Sequence, residues 1–184
     1  MKILRLVTSL AVIAAVCAGV LACVNSATKD AIAGIRERQK LEAAVAVMPP
    51  AADRSKVKQI AEGVFEGRDA SGNVAGYAVE GSDPSGYGGD IVLMVGFTRD
   101  CKIVTFRKLV ASETPGLGSN LTNPSFTGQF SGMDASEPLA VRKDGGAVDA
   151  ITSATITSRA VCGAINNAKN KMLEALSGKA PAAR

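Results

Sequence analysis

The stretch Asp90-Ile-Val-Leu-Met-Val-Gly-Phe-Thr98, Arg99-Asp100-Cys101, Lys102-Ile-Val-Thr-Phe-Arg-Lys-Leu-Val110 reads as two β-strands joined by a three-residue turn. Ile91 to Val95 is apolar without interruption, the pattern of a strand covered on both faces. In the second run, Val104, Phe106 and Val110 are expected to share one face, with Thr105 and Arg107 on the other, because side chains alternate along a strand. The pair is expected to form a hairpin at the centre of a domain.

Upstream, Asp69-Ala-Ser-Gly-Asn73 carries turn chemistry and leads into an expected strand at Val74–Val79, whereas Val57 to Phe65 is short and fits more than one element. Downstream, Val161, Ile165, Ala168, Met172 and Leu176 recur at helical spacing and predict one apolar stripe of an α-helix. Gly178 is expected to end it, leaving 179–184 as a disordered tail. Short strands followed by a packed C-terminal helix make the fold class α+β.

At the other end, Leu6 to Val24 is almost wholly apolar, and no charge occurs between Arg5 and Lys29. About 20 such residues cross a hydrocarbon core, so residues 1–28 are expected to anchor the chain in a lipid bilayer. Lys2 and Arg5 precede the run, which puts the N-terminus inside and the remainder on the extracytoplasmic side. A signal peptide shares this pattern, and Val20-Leu21-Ala22-Cys23 resembles a lipoprotein processing site that would lipidate Cys23. Each version leaves the later residues outside. Residues 29–50 are expected to form a juxtamembrane helix stopped by Pro49-Pro50, and 51–178 the single domain.

Composition narrows the chemistry. The chain has no histidine, which removes Ser-His-Asp hydrolases, His-ligated zinc and proximal-His haem together. Its net charge of +4 is scattered, and two tyrosines, five phenylalanines and no tryptophan offer little to stack on bases, so no nucleic acid partner is expected. None of the four cysteines has metal-ligand spacing, and no metal site is expected. Cys101 and Cys162 fit either a disulfide or two buried thiols, depending on whether their Cα atoms approach within about 7 Å.

Three stretches carry candidate chemistry. Gly86-Tyr87-Gly88-Gly89 precedes the first hairpin strand, where glycines permit a tight turn or close approach of a ligand. Glu113-Thr114-Pro115-Gly116-Leu117-Gly118 follows the second, and its Pro-Gly pair predicts a type II turn with Gly116 at positive φ. Asp149-Ala150-Ile151-Thr152-Ser153-Ala154-Thr155-Ile156-Thr157-Ser158 runs into the C-terminal helix. Hydroxyls there suit two roles, capping the helix or holding a phosphate against its first-turn N–H groups.

The last stretch resembles the flavinylation signature of the FMN-binding domain family, in which an Asp stands three residues before a Ser/Thr-Gly-Ala-Thr/Ser core. Thr155 falls on the acceptor position, with Asp149, Thr152, Ser153, Ala154 and Thr157 around it. Glu113–Gly118 is similar to the Glu-Thr-Pro-Gly-Leu-Gly segment of RnfG and NqrC subunits, and Gly86–Gly89 to the approach to their central strand. The Thr28-Lys29-Asp30 exit, Pro49-Pro50 and the Phe126…Gln129-Phe130 spacing extend the likeness to about Leu6–Leu176. Ser153 stands where the family has glycine, and Thr152 where serine is common. At positive φ a serine costs roughly 1 kcal/mol or more.

The resemblance implies a single-pass inner-membrane subunit of the RnfG type with FMN joined through its phosphate to Thr155 by a flavin transferase. It also implies that Tyr87, Glu113, Thr114, Pro115, Gly116, Leu117 and Gly118 lie beside the cofactor. The implied work is electron relay within an ion-translocating ferredoxin:NAD oxidoreductase, alongside other membrane and iron–sulfur subunits. Neighbouring readings are an NqrC-like subunit of a sodium-pumping quinone reductase and a stand-alone flavinylated carrier. A tethered, non-redox scaffold is the reading of a different class.

Overall fold

Five strands lie in the sheet in the order of the chain: β1 (Val57–Ala61), β2 (Val64–Arg68), β3 (Val74–Gly86), β4 (Gly89–Thr98) and β5 (Ile103–Val110), every neighbouring pair antiparallel. The structure is a computed structural model and describes residues 2–178, so the expected tail at 179–184 lies outside the described residues. The ambiguous stretch from Val57 to Phe65 is divided between β1 and β2, because Gly63 at φ 65° reverses the chain there. The strand expected at Val74–Val79 runs on to Gly86, and β3–β4 is the longest ladder.

β4 is buried from both sides, as its unbroken apolar run predicts. Ile91, Leu93, Val95 and Phe97 face the C-terminal helix α3 (Thr155–Leu176), whose Val161, Ile165, Ala168 and Met172 complete the main core. Leu176, expected on the same stripe, is 46% exposed, since the helix has passed the sheet by that point. On the opposite face, Met94, Ala78 and Phe65 pack with Ala43, Ala44, Val47 and Met48. Gly96 makes that second contact close: a Cβ there would strike the carbonyl of Val47.

β5 departs from the expected alternation. Gly96 pairs with Thr105 but Phe97 pairs with Ile103, so Val104 bulges out of the ladder and both Ile103 and Phe106 reach the core. A second register shift, between Val92 and Leu93, leaves Leu109 unpaired in the same way. Val104 is therefore only half-buried and Val110 is 51% exposed, and of the three residues expected on the core face only Phe106 lies there.

The anchor and juxtamembrane segments are one helix, α1 (Lys2–Val47). No glycine or proline interrupts 25–31, and the Thr28 hydroxyl donates to the Val24 carbonyl within the helix, 2.9 Å away. The chain divides into two compact units, Met1–Gln39 and Lys40–Arg184. In the first, Val7, Leu10, Ile13, Val16, Val20 and Leu21 are exposed on a helix whose best window has mean hydropathy 2.5, apolar and long enough to cross a membrane. The second begins with the last turns of α1 because those turns cover the sheet, and Lys40 pairs with Glu80 at 2.9 Å.

Beyond β5, Phe126 and Phe130 close the main core, with Phe130 edge-on to both Phe106 (centroids 5.3 Å) and Phe126 (5.4 Å). Cys101 and Cys162 are free thiols, so the disulfide considered above is not formed. Burial pushes the Cys162 thiol up to about 12. Two expectations follow. Phe130→Ala should lower unfolding stability by about 3–5 kcal/mol in a urea titration followed by circular dichroism. Cys162 should resist iodoacetamide at pH 8 in the folded protein and react once it is unfolded, read by peptide mass spectrometry.

Candidate functional site

The first turn of α3 meets the turn between β3 and β4 and the loop that follows β5. These are the three stretches singled out above. Between them lies a cleft of about 460 Å³ lined by Tyr87, Glu113, Thr114, Leu117, Gly118, Ser153, Ala154, Thr155, Ile156 and Thr157. A second cleft of about 440 Å³ adjoins it, sharing Leu117 and Ser153 and adding Gly116, Gln129, Asp149 and Thr152. Either is of the size that takes a cofactor-sized ring system.

Glu113 ties the three stretches together. Its Oε1 accepts from the Gly88 N–H (3.2 Å) and its Oε2 from the Thr157 hydroxyl (2.6 Å). The second bond needs Gly118, since a Cβ there would collide with Glu113 Oε2 and crowd Thr157 Oγ1. The loop itself turns as its sequence predicts: the Leu117 N–H donates to the Thr114 carbonyl (3.2 Å) and Gly116 takes φ 75°. Pro115 is exposed on the outside of this turn and lines neither cleft.

The hydroxyls before α3 do not cap it. The N-cap position is Ala154, which offers no side-chain acceptor, so the first-turn N–H groups keep no cap from the protein. Ser158 instead accepts from the Ile151 N–H (2.9 Å) and donates to the Ala154 carbonyl (3.0 Å), while Thr157 is committed to Glu113. The expectation that Thr157 would donate to a phosphate is thereby displaced, because its one proton already has an acceptor. Of the hydroxyls in these three stretches, those of Tyr87, Thr114, Thr152, Ser153 and Thr155 have no hydrogen-bond partner among the described residues; of these only Thr155 is in the helix, half-buried, at its first position.

Asp149 stands back from the larger cleft. Its N–H donates to Gln129 Oε1 (2.8 Å), its carbonyl accepts from Gln129 Nε2 (3.2 Å), and its carboxylate pairs with Arg142 (2.7 Å). It therefore holds the approach to α3 in place rather than facing the cleft. Arg159 on α3 binds the Asp144 carboxylate through two nitrogens (2.7 and 2.8 Å) and holds its pKa below the usual range. Gln129 and Arg142, the partners of Asp149, and Ile156, an exposed apolar wall of the cleft, are not among the site residues expected from the sequence. The Gln129 spacing was visible, but nothing in the sequence connects Arg142 to Asp149.

Among the described residues no lysine or arginine lines either cleft, so the polar attraction available to an anion comes from backbone N–H groups at the start of α3. Ser153 sits at φ 61°, in the left-handed region that favours glycine. Replacing it should order unfolding midpoints Gly above Ser above Val, with the β-branched Ser153→Val variant about 1–2 kcal/mol less stable than the parent, measured by urea unfolding.

Residues 86–170 match the FMN-binding domain family, and residues 1–47 match the RnfG N-terminal region. The G subunit of an ion-translocating oxidoreductase complex from Methanosarcina acetivorans is 37% identical over 91% of this chain and 93% of its own length. The G subunit of a Na(+)-translocating ferredoxin:NAD(+) oxidoreductase complex from Acetobacterium woodii is 31% identical, covering 84% of each chain. The crystal structure of Shewanella oneidensis NqrC overlays with a TM-score of 0.49 and 25% identity, covering 63% of this chain and 64% of that one. With an FMN-binding domain behind an RnfG N-terminal region, and with the Methanosarcina relative aligned over nearly its whole length, the chain belongs to the RnfG family of ion-translocating oxidoreductase complex subunits.

Proposed function

We propose that this chain is the membrane-anchored flavoprotein subunit of an ion-translocating ferredoxin:NAD oxidoreductase complex, with FMN esterified through its phosphate to Thr155. The observation that carries the attachment site is the state of the hydroxyls. Thr157 and Ser158 are committed to partners and Thr152 and Ser153 are exposed, whereas Thr155 is half-buried, free, and at the uncapped start of α3.

Charge favours an ester over simple binding. A phosphate monoester carries close to two negative charges near neutral pH, and here it would meet Glu113 and no lining cation. A diester carries one, which the first-turn N–H groups of α3 suit. Bound FMN would supply one-electron redox chemistry. Thr155 holds the phosphate; Ser153 has a hydroxyl free to donate to it; Tyr87, Leu117 and Ile156 provide apolar and aromatic surface; Glu113 keeps the walls at fixed separation.

In this reading residues 1–28 anchor the chain in the inner membrane with the N-terminus inside, residues 29–50 form the juxtamembrane segment, whose last turns from Lys40 pack on the sheet, and the FMN-binding domain, 51–178, works on the extracytoplasmic side. Its partners are the other membrane and iron–sulfur subunits, and a flavin transferase completes its maturation. Co-produced with such a transferase, the full chain should give a band fluorescent under ultraviolet light after denaturing electrophoresis, and Thr155→Ala should lose it. Fluorescence that persists in the variant moves the attachment elsewhere; a dark parent band removes the reading.

A further inference from the structure

We infer that Glu113 is a positioning residue whose carboxylate also sets the electron affinity of the flavin proposed at Thr155, holding it at a lower potential than an uncharged cleft would. The inference rests on that attachment and goes beyond it, because nothing about being attached requires a charge in the wall.

The geometry fixes the charge in place. Both carboxylate oxygens are engaged, one by the Gly88 N–H from the β3–β4 turn and the other by the Thr157 hydroxyl from α3. Glycine at 86 and 118 leaves the space the carboxylate occupies, as a Cβ at either position would crowd one of its oxygens. Two hydrogen bonds from different elements hold the side chain against swinging to solvent. Among the described residues, no lysine or arginine lines the cleft to offset its charge. In a half-buried site a fixed charge acts more strongly than it would in water. Glu113 therefore disfavours each electron added beside it, while the N-terminus of α3 acts in the opposite direction on the phosphate side.

The test uses the full chain in detergent, co-produced with a flavin transferase, with flavin content read after denaturation and midpoint potential read by spectroscopic titration. Glu113→Gln preserves shape: its Oε1 can accept from Gly88 while the Thr157 hydroxyl turns to accept from Nε2. Its midpoint should shift upward, and Glu113→Asp, which restores the charge, should lie nearer the parent than Glu113→Gln does. Thr114→Lys adds a cation at an exposed lining position outside the Glu113 contacts and should also shift the midpoint upward, so the idea stands or falls even where Glu113→Gln fails to load. A loaded Glu113→Gln or Thr114→Lys with the parental midpoint overturns the inference, as do equal shifts in Glu113→Gln and Glu113→Asp, which would mark a purely structural effect. A parent chain that carries no flavin overturns the attachment reading first and this one with it.

Discussion

Everything in the domain depends on β4 being buried on both faces. A strand with Ile91, Leu93, Val95 and Phe97 on one side and Met94 on the other cannot be satisfied by one layer, because either face left open would expose large apolar side chains. The chain meets this demand with two helices: α3 on one face and the last turns of α1 on the other. α3 is consequently fixed along its length by Val161, Ile165, Ala168 and Met172, and its N-terminus is held where β4 begins. The cleft exists because the start of that helix, the turn into β4 and the exit from β5 are brought to the same end of the sheet.

Within that end, one carboxylate ties the start of α3 to the sheet without capping the helix. Glu113 reaches α3 through Thr157 and the β3–β4 turn through Gly88, while Ala154 occupies the cap position and contributes nothing. The protein thus gives up about 1 kcal/mol of local capping and keeps the first-turn N–H groups available. Ser153 adds backbone strain at the same point, at φ 61°. Both features concentrate unsatisfied or strained groups within three residues of Thr155, which suits a helix start built to receive something rather than merely to begin.

Sequence patterns revealed the layers better than the details. The double-sided burial of β4 and the stripe of α3 were legible because they depend on periodicity, and the Gly116 turn because only proline and glycine fit it. The face of β5 was not, since bulges at Val104 and Leu109 depend on the register with β4 rather than on the strand's own residues. For the same reason a serine- and threonine-rich run invited a capping role that Ala154 occupies instead. The cluster of Glu113 with Thr157, 44 positions later, was visible only as two separate polar residues. Distance along the chain hid the bond between them.

The bulges in β5 have a further result. An edge strand presents unpaired N–H and C=O groups that can recruit a second chain, and this sheet ends on β5. Here the ladder is broken twice within eight residues, Arg107 and Lys108 are exposed on it, and Lys102 at its start bridges to Asp134. A neighbouring copy finds no straight, uncharged run to zip onto. On this edge the fold thereby discourages pairing with a second copy, while the other edge, β1, is a separate matter of its own residues.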